Sequence, residues 1–188
     1  MKILLIDACA RANSRTRELA KEVLTHLEGE VTRLALYESD LPLIDEAAVN
    51  ARGVDCRANT FTDPIYDLAK QFAGADIIVI TAPFWDLSFP AILKKYIEAI
   101  TVSGITFRYS EEGIPIGLCQ AKKLFYVTTS GGPIFNEEFG FGYVRTMAQG
   151  MYGISECRCF KAEGLDIIGA DQAAIMQKAK EAVTAYFQ

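Results

Sequence analysis

The feature that most constrains this chain is a repeated pair: a short, unbroken apolar run, then a stretch whose apolar residues recur every three or four positions. "KILLIDA" (2–8) is the first such run, and a strand without polar alternation is one buried on both faces. "SRTRELAKEVLTHLE" (14–28) follows, with Leu19, Ala20, Val23, Leu24 and Leu27 on one helical face and Ser14 placed to cap its N-terminus. The pattern then repeats. Strands are expected at "VTRLAL" (31–36), "DIIVITA" (76–82), "KKLFYVTTS" (122–130) and "ECRCFKAEGL" (156–165). Helices are expected at 63–75, with Pro64 in its first turn, at 90–101, at 137–153, where glycines blur the ends, and at 169–187. Alternating strands and helices imply a parallel sheet with right-handed crossovers, and five strands suit the doubly wound order 2-1-3-4-5.

Two segments break the alternation. The polar stretch 45–62, "DEAAVNARGVDCRANTFT", reads as a long excursion before the second helix. The stretch 104–121, "GITFRYSEEGIPIGLCQA", alternates apolar and polar residues around Glu-Glu-Gly and reads as a hairpin-like insertion before the fourth strand. No repeat or low-complexity tract is present, and 188 residues suit a single domain spanning 1–188.

Composition excludes several classes. A net charge of −5 argues against a general nucleic-acid surface. No apolar stretch is long enough to span a membrane, and "MKILLID" lacks the form of a signal peptide, so a cytoplasmic protein is expected. The five cysteines, Cys9, Cys56, Cys119, Cys157 and Cys159, fit no disulfide framework, and with His26 as the only histidine no metal site is expected. His26 lies in a polar helical stretch and reads as a surface residue, so histidine-dependent nucleophilic catalysis has a single candidate, and it sits away from every loop that looks like a site.

In an open parallel sheet, ligands bind beyond the carboxyl ends of the strands, at the point where the order reverses. Three loops converge there. The first, "ACARANSRT" (8–16), lacks both the G-x-G-x-x-G and the P-loop spacing. It does offer Cys9, Arg11, Asn13, Ser14 and Thr16 at a helix start, where free amides and the dipole favour an anion. The second, "APFWDLSFP" (82–90), is unusual for a loop because it is apolar: Phe84, Trp85 and Leu87 could wall a flat ring. Burial of the same residues in a cluster or a dimer contact is the plainer reading. The third, "TTSGGPIF" (128–135), has glycines that let backbone approach a ligand, or that simply serve a turn needing positive φ. Ser130 lacks the G-x-S-x-G elbow of a hydrolase nucleophile. A phosphate at the first loop and a ring between the other two describe FMN, a carrier of hydride.

The residues also resemble a known family. "SRT" at the start of the first helix, "APFWDLSFPAILKKYIEAI", "GITFRYSEEG", "AKK" before the fourth strand, "TTSGG" and "CFKAEGL" fall in order over nearly the whole chain. Together they resemble the flavodoxin-like, FMN-dependent NAD(P)H:quinone oxidoreductases and NADH-azoreductases. The resemblance implies a flavodoxin-like doubly wound five-stranded parallel sheet and an enzyme passing hydride from NADH or NADPH through FMN to quinones or related flat azo or nitroaromatic acceptors by a ping-pong scheme. It implies a homodimer with sites at the interface. It carries the FMN phosphate to Cys9, Arg11, Ser14 and Thr16, and the flavin ring to Pro83, Phe84, Trp85, Asp86 and Leu87. Thr129, Ser130, Gly131 and Gly132 complete the cofactor set, and Phe107 and Tyr109 are expected to wall the substrate pocket. No side chain is assigned as catalytic.

The chain departs from the family pattern at three points. Cys9 stands where serine is usual, Asp86 where asparagine is usual, and no histidine follows Gly132. A carboxylate at 86 beside the ring is expected to lower the flavin potential, and the missing histidine puts azo reduction in doubt. The absence of an evident basic pocket for a 2′-phosphate favours NADH. The competing class is a flavodoxin-like electron carrier that binds FMN and docks to a redox partner; the insertion at 104–121 and the modest acidity favour the enzyme.

Overall fold

The computed structural model describes all residues from 1 to 188. Five parallel strands form the central sheet: β1 (Lys2–Asp7), β2 (Glu30–Ala35), β3 (Ile77–Thr81), β6 (Lys123–Thr129) and β7 (Glu156–Ala162), in the order β2-β1-β3-β6-β7. This is the expected doubly wound order. The numbering skips because the insertion forms its own antiparallel pair, β4 (Phe107–Tyr109) with β5 (Pro115–Gly117).

Alternate side chains of each buried strand feed opposite faces. Ile3 and Leu5 of β1 join Val79, Phe125, Val127 and Phe160 beneath helices α1 (Arg15–Thr25) and α6 (Gln172–Phe187). Leu4 and Ile6 join Ile78, Ile80, Leu124 and Tyr126 beneath α3 (Asp67–Ala73), α4 (Ala91–Ile100) and the segment around α5 (Tyr143–Met147). The unbroken apolar runs are thus explained: both faces of β1, β3 and β6 are covered. His26 is half-buried at the seam of α1 and α6, where its ring stacks on Phe187 at 5.0 Å.

The polar excursion is a helix, α2 (Glu46–Ala58), begun by Asp45, whose Oδ1 accepts from Ala48 N at 2.9 Å, and ended by Asn59 in the left-handed region at φ 52°. It buries no residue fully. It docks through polar groups instead: Arg52 donates to the Glu98 and Ala99 carbonyls at 3.0 and 2.9 Å, and the Tyr66 hydroxyl donates to Asp55 at 2.6 Å. A helix held this way needs no apolar stripe, so its pattern is silent in the sequence. The expected helix at 137–153 is also irregular, since α5 is flanked by π-helical turns at Glu138–Gly142 and Ala148–Tyr152.

Helix α4 carries the chain back along the sheet, so the β4–β5 hairpin forms near the strands' N-terminal edge. Gln120 N donates to the Ala73 carbonyl there, and Gly117 lies against the Tyr152–Gly153 backbone. A Cβ on Gly117 would stand 2.1 Å from Gly153 N. No helix is long and apolar enough to cross a membrane.

Because the neighbours of Gly117 are backbone atoms that cannot rotate away, Gly117→Ala is expected to lower stability by about 3 kcal/mol, the upper range for overpacking. Urea unfolding of the two proteins checks this, and an unchanged midpoint would count against the close approach.

Candidate functional site

At the carboxyl ends of β1, β3 and β6 the three loops bound one open cleft of about 150 Å3. Cys9, Arg11, Ser14, Thr16, Pro83, Phe84, Trp85, Thr129, Ser130 and Gly131 line it, all singled out from the sequence. Asn13, also named from the sequence of the first loop, lines it too, as do Ala10, Arg15 and Asp166. Asp86, Leu87 and Gly132 lie just outside, and Phe107 and Tyr109 do not reach it. Phe107 is buried under its own hairpin, edge-on to Tyr109, which is exposed. The expectation that this pair walls the pocket therefore fails within one chain, because α4 has carried it toward the other end of the sheet.

The first loop is unusual in its hydrogen bonds. None of the seven consecutive amide N–H groups from Ala10 to Thr16 has an acceptor in the chain; the next amide, Arg17 N, donates to the capping Ser14 hydroxyl at 3.3 Å. Such groups are normally paired with protein or water. A run of them at a helix start forms a concave donor surface suited to an anion. Arg11 adds a cation with no carboxylate partner, whereas Arg15 is paired with Asp166 at 2.8 Å. The Thr16 and Thr129 hydroxyls are 2.6 Å apart and both residues are buried. In such a pair one hydroxyl donates to the other, which leaves one proton free for a ligand.

Not every hydroxyl or thiol in the cleft points outward. The Cys9 thiol is turned to Thr81, with Sγ 3.7 Å from its carbonyl and 3.5 Å from its hydroxyl. Burial pushes this thiol up, so it stays protonated. Ser130 donates to its neighbour, the Gly132 carbonyl, at 2.5 Å.

The apolar wall is built from backbone restraint. Phe84 N donates to the Thr129 carbonyl at 2.9 Å, pinning the second loop to the third, and its ring lies against Gly140. Trp85 and Ser88 exchange backbone hydrogen bonds of 3.0 and 2.8 Å across a two-residue turn made by Asp86 and Leu87. Phe89 turns inward, toward Tyr143 and the core.

The glycine pair does not serve a positive φ, since neither Gly131 nor Gly132 has one. Gly131 is needed for space: a Cβ there would meet the Asp166 carboxylate at 2.6 Å, whereas Gly132 faces open room.

Beneath the loop lies Asp7, whose side chain has no exposed surface. It accepts from Cys9 N at 3.0 Å, from Arg17 Nε at 2.7 Å and from Arg33 Nε at 2.8 Å. Burial would push its carboxyl up, but the donors at Arg17, Cys9 and Arg33 outweigh that and hold it below its ordinary 3.8. Asp7, Arg15, Arg17, Arg33 and Asp166 were not singled out by sequence reasoning. A signal existed: two arginines in the first turn of a helix oppose the dipole and call for specific partners.

A parallel sheet of this order, with a donor-lined cleft where the order reverses, defines a doubly wound nucleotide-binding class. The chain belongs to the family described as flavodoxin-like fold, whose model matches residues 1–187. It is 38% identical to FMN-dependent NADH:quinone oxidoreductase 2 of Clostridium acetobutylicum, over 96% of each chain. It is 40% identical to the FMN-dependent NADH:quinone oxidoreductase of Lachnoclostridium phytofermentans, covering 96% of this chain and 94% of that one. Among solved structures, an azoreductase from Bacillus anthracis shares the fold at a TM-score of 0.84, with 24% identity over 100% of this chain and 98% of the other.

Two outcomes follow from this geometry. Gly131→Ala should displace Asp166 from Arg15 and lower stability by about 1 kcal/mol, while Gly132→Ala should stay within about 0.5 kcal/mol of wild type. Thermal melts that rank the two the other way would refute the spatial role of Gly131. Asp7 also sets an acid limit. A depressed folded-state pKa gives stability that is complete above the unfolded value and lost as pH falls through the folded one. Stability should therefore drop as pH falls through and below the ordinary carboxylate value of 3.8. In Asp7→Asn, already weaker by about 3 kcal/mol at neutral pH, that part of the decline should vanish. Urea melts across the range provide the measurement.

Proposed function

We propose that the protein is an FMN-dependent oxidoreductase that takes hydride from NADH and delivers it to quinones or similar flat aromatic acceptors. The observation that carries this reading is the run of seven unpaired amides beside an apolar wall. Phosphate suits the first surface and a flat ring the second, and FMN joins the two in one molecule. The names of the Clostridium and Lachnoclostridium relatives supply the same chemistry. The whole chain, 1–188, is read as one FMN-binding unit acting in the cytoplasm.

In this reading the amides from Ala10 to Thr16, Arg11 and the free proton of the Thr16–Thr129 pair hold the phosphate. Pro83, Phe84 and Trp85 hold the ring, with Thr129, Ser130 and Gly131 on the opposite loop. Bound FMN supplies two-electron exchange between nicotinamide and acceptor. The side chains here orient and exclude water; none is required as a base.

A cleft of about 150 Å3 is smaller than the several hundred that enclose a typical small ligand. Trp85, Leu87, Phe135 and Phe139 also stand exposed on the segments that follow β3 and β6. A second copy of the chain that covers these residues would complete the site, and only from such a copy could Tyr109 reach it. A homodimer is therefore part of the reading. Without a histidine after Gly132, quinones are favoured over azo compounds as acceptors.

The test is anaerobic. The purified protein should be yellow, bleach rapidly with NADH and regain colour with a quinone. Donor and acceptor sharing one face should give parallel double-reciprocal lines. Intersecting lines would overturn the shared face. Yellow protein that NADH does not bleach would point to an electron carrier, and protein that cannot be reconstituted with FMN would overturn both.

A further inference from the structure

The unpaired amides raise a question of cause: a loop left to itself would scatter its N–H and C=O groups in both directions. Here the carbonyls are gathered by a single side chain. Arg17 donates through one terminal nitrogen to the Arg11 and Ala12 carbonyls at 2.9 and 2.8 Å, and through the other to the Cys9 carbonyl at 2.9 Å. Its remaining donors go to Asp7, with Nε at 2.7 Å from one carboxylate oxygen and the second terminal nitrogen 3.5 Å from the other. All five N–H groups of the guanidinium are thereby engaged. The side chain is mostly buried, and it is locked to a carboxylate that Arg33 holds from β2.

In a trans peptide the carbonyl of one residue and the amide of the next point in opposite directions. Carbonyls of Cys9, Arg11 and Ala12 drawn onto Arg17 therefore aim the amides of Ala10, Ala12 and Asn13 away from it, and Ala10 and Asn13 line the cleft. Arg17 has no donor left for a ligand, and its charge is matched by Asp7. Its influence on an anion is through the loop.

We propose that Arg17 is the positioning residue of the phosphate loop: anchored on Asp7, it turns the loop amides outward and so sets the preference of the cleft for FMN over unphosphorylated riboflavin. This rests on the reading of the cleft as an FMN site. A direct phosphate ligand could be replaced by another cation, whereas a clamp on three carbonyls could not. Lysine carries the charge but lacks the planar fork needed to reach Asp7 and three carbonyls together.

The experiment titrates apoprotein with FMN and, separately, with riboflavin, following quenching of flavin fluorescence. Wild type should prefer FMN. Arg17→Gln should weaken FMN by about tenfold or more, the loss expected for one or two hydrogen bonds to a charged group. Riboflavin should change by less than about twofold, within the scatter of substitutions away from a contact. Arg17→Lys should lose most of the same preference. Should Arg17→Gln fail to fold with Asp7 left buried, the double variant Asp7→Asn/Arg17→Gln removes the stranded charge and is expected to show the same loss for FMN alone. Equal weakening of both flavins would show a general structural role and overturn the proposal. Full FMN preference in Arg17→Lys would show that charge alone suffices, which also overturns it. A wild type that does not distinguish the two flavins would instead overturn the reading of the cleft itself.

Discussion

A carboxylate with no solvent exposure, Asp7, stands at the end of the central strand β1, and the site is arranged around it. Burying a charge is costly unless every lone pair finds a donor, and removing one partner of such a group is far worse than never having buried it. Asp7 meets that condition with an amide from its own loop, a guanidinium from α1 and another from β2. The same contacts join β1, β2, α1 and the loop between β1 and α1 into one rigid corner. A loop that must hold its amides unpaired gains its shape from that corner rather than from its own packing.

The fold was legible because both faces of the sheet are covered. Strands such as "DIIVITA" then have to be apolar without alternation, and their order follows from crossover handedness. What escaped was held by polar contacts. Helix α2 docks by Arg52 and Asp55, neither of which leaves an apolar stripe to read. The location of the β4–β5 hairpin depends on where α4 sets the chain down, which the pattern of residues does not encode.

The same division runs through the site. Residues that line the cleft with side chains of telling chemistry, such as Arg11, Thr16, Phe84 and Trp85, were legible by type and position. Residues that act on backbone were not. Arg17 works through three carbonyls, Asp166 through Gly131 and Arg15, and the glycine's role is to leave room for a carboxylate. Side-chain chemistry can be inferred from a motif, but the direction of a peptide group requires the fold.

The turn at Asp86 and Leu87 shows how such a distinction alters an inference. Both residues have positive φ, at 51° and 65°, in a two-residue turn closed by Trp85 and Ser88. This is the arrangement that glycine and asparagine usually supply, and a leucine there is strained by about 1–2 kcal/mol. Aspartate tolerates the left-handed region for the same reason asparagine does. The departure at 86 thus conserves the backbone geometry. The Asp86 side chain is exposed at the turn's tip, outside the lining of the cleft in the single chain. The turn geometry at this position is a matter of shape, which aspartate and asparagine serve alike. The strain has a structural return: the turn holds Trp85 at the rim of the cleft and Leu87 beside it, both apolar and both uncovered by the rest of the chain.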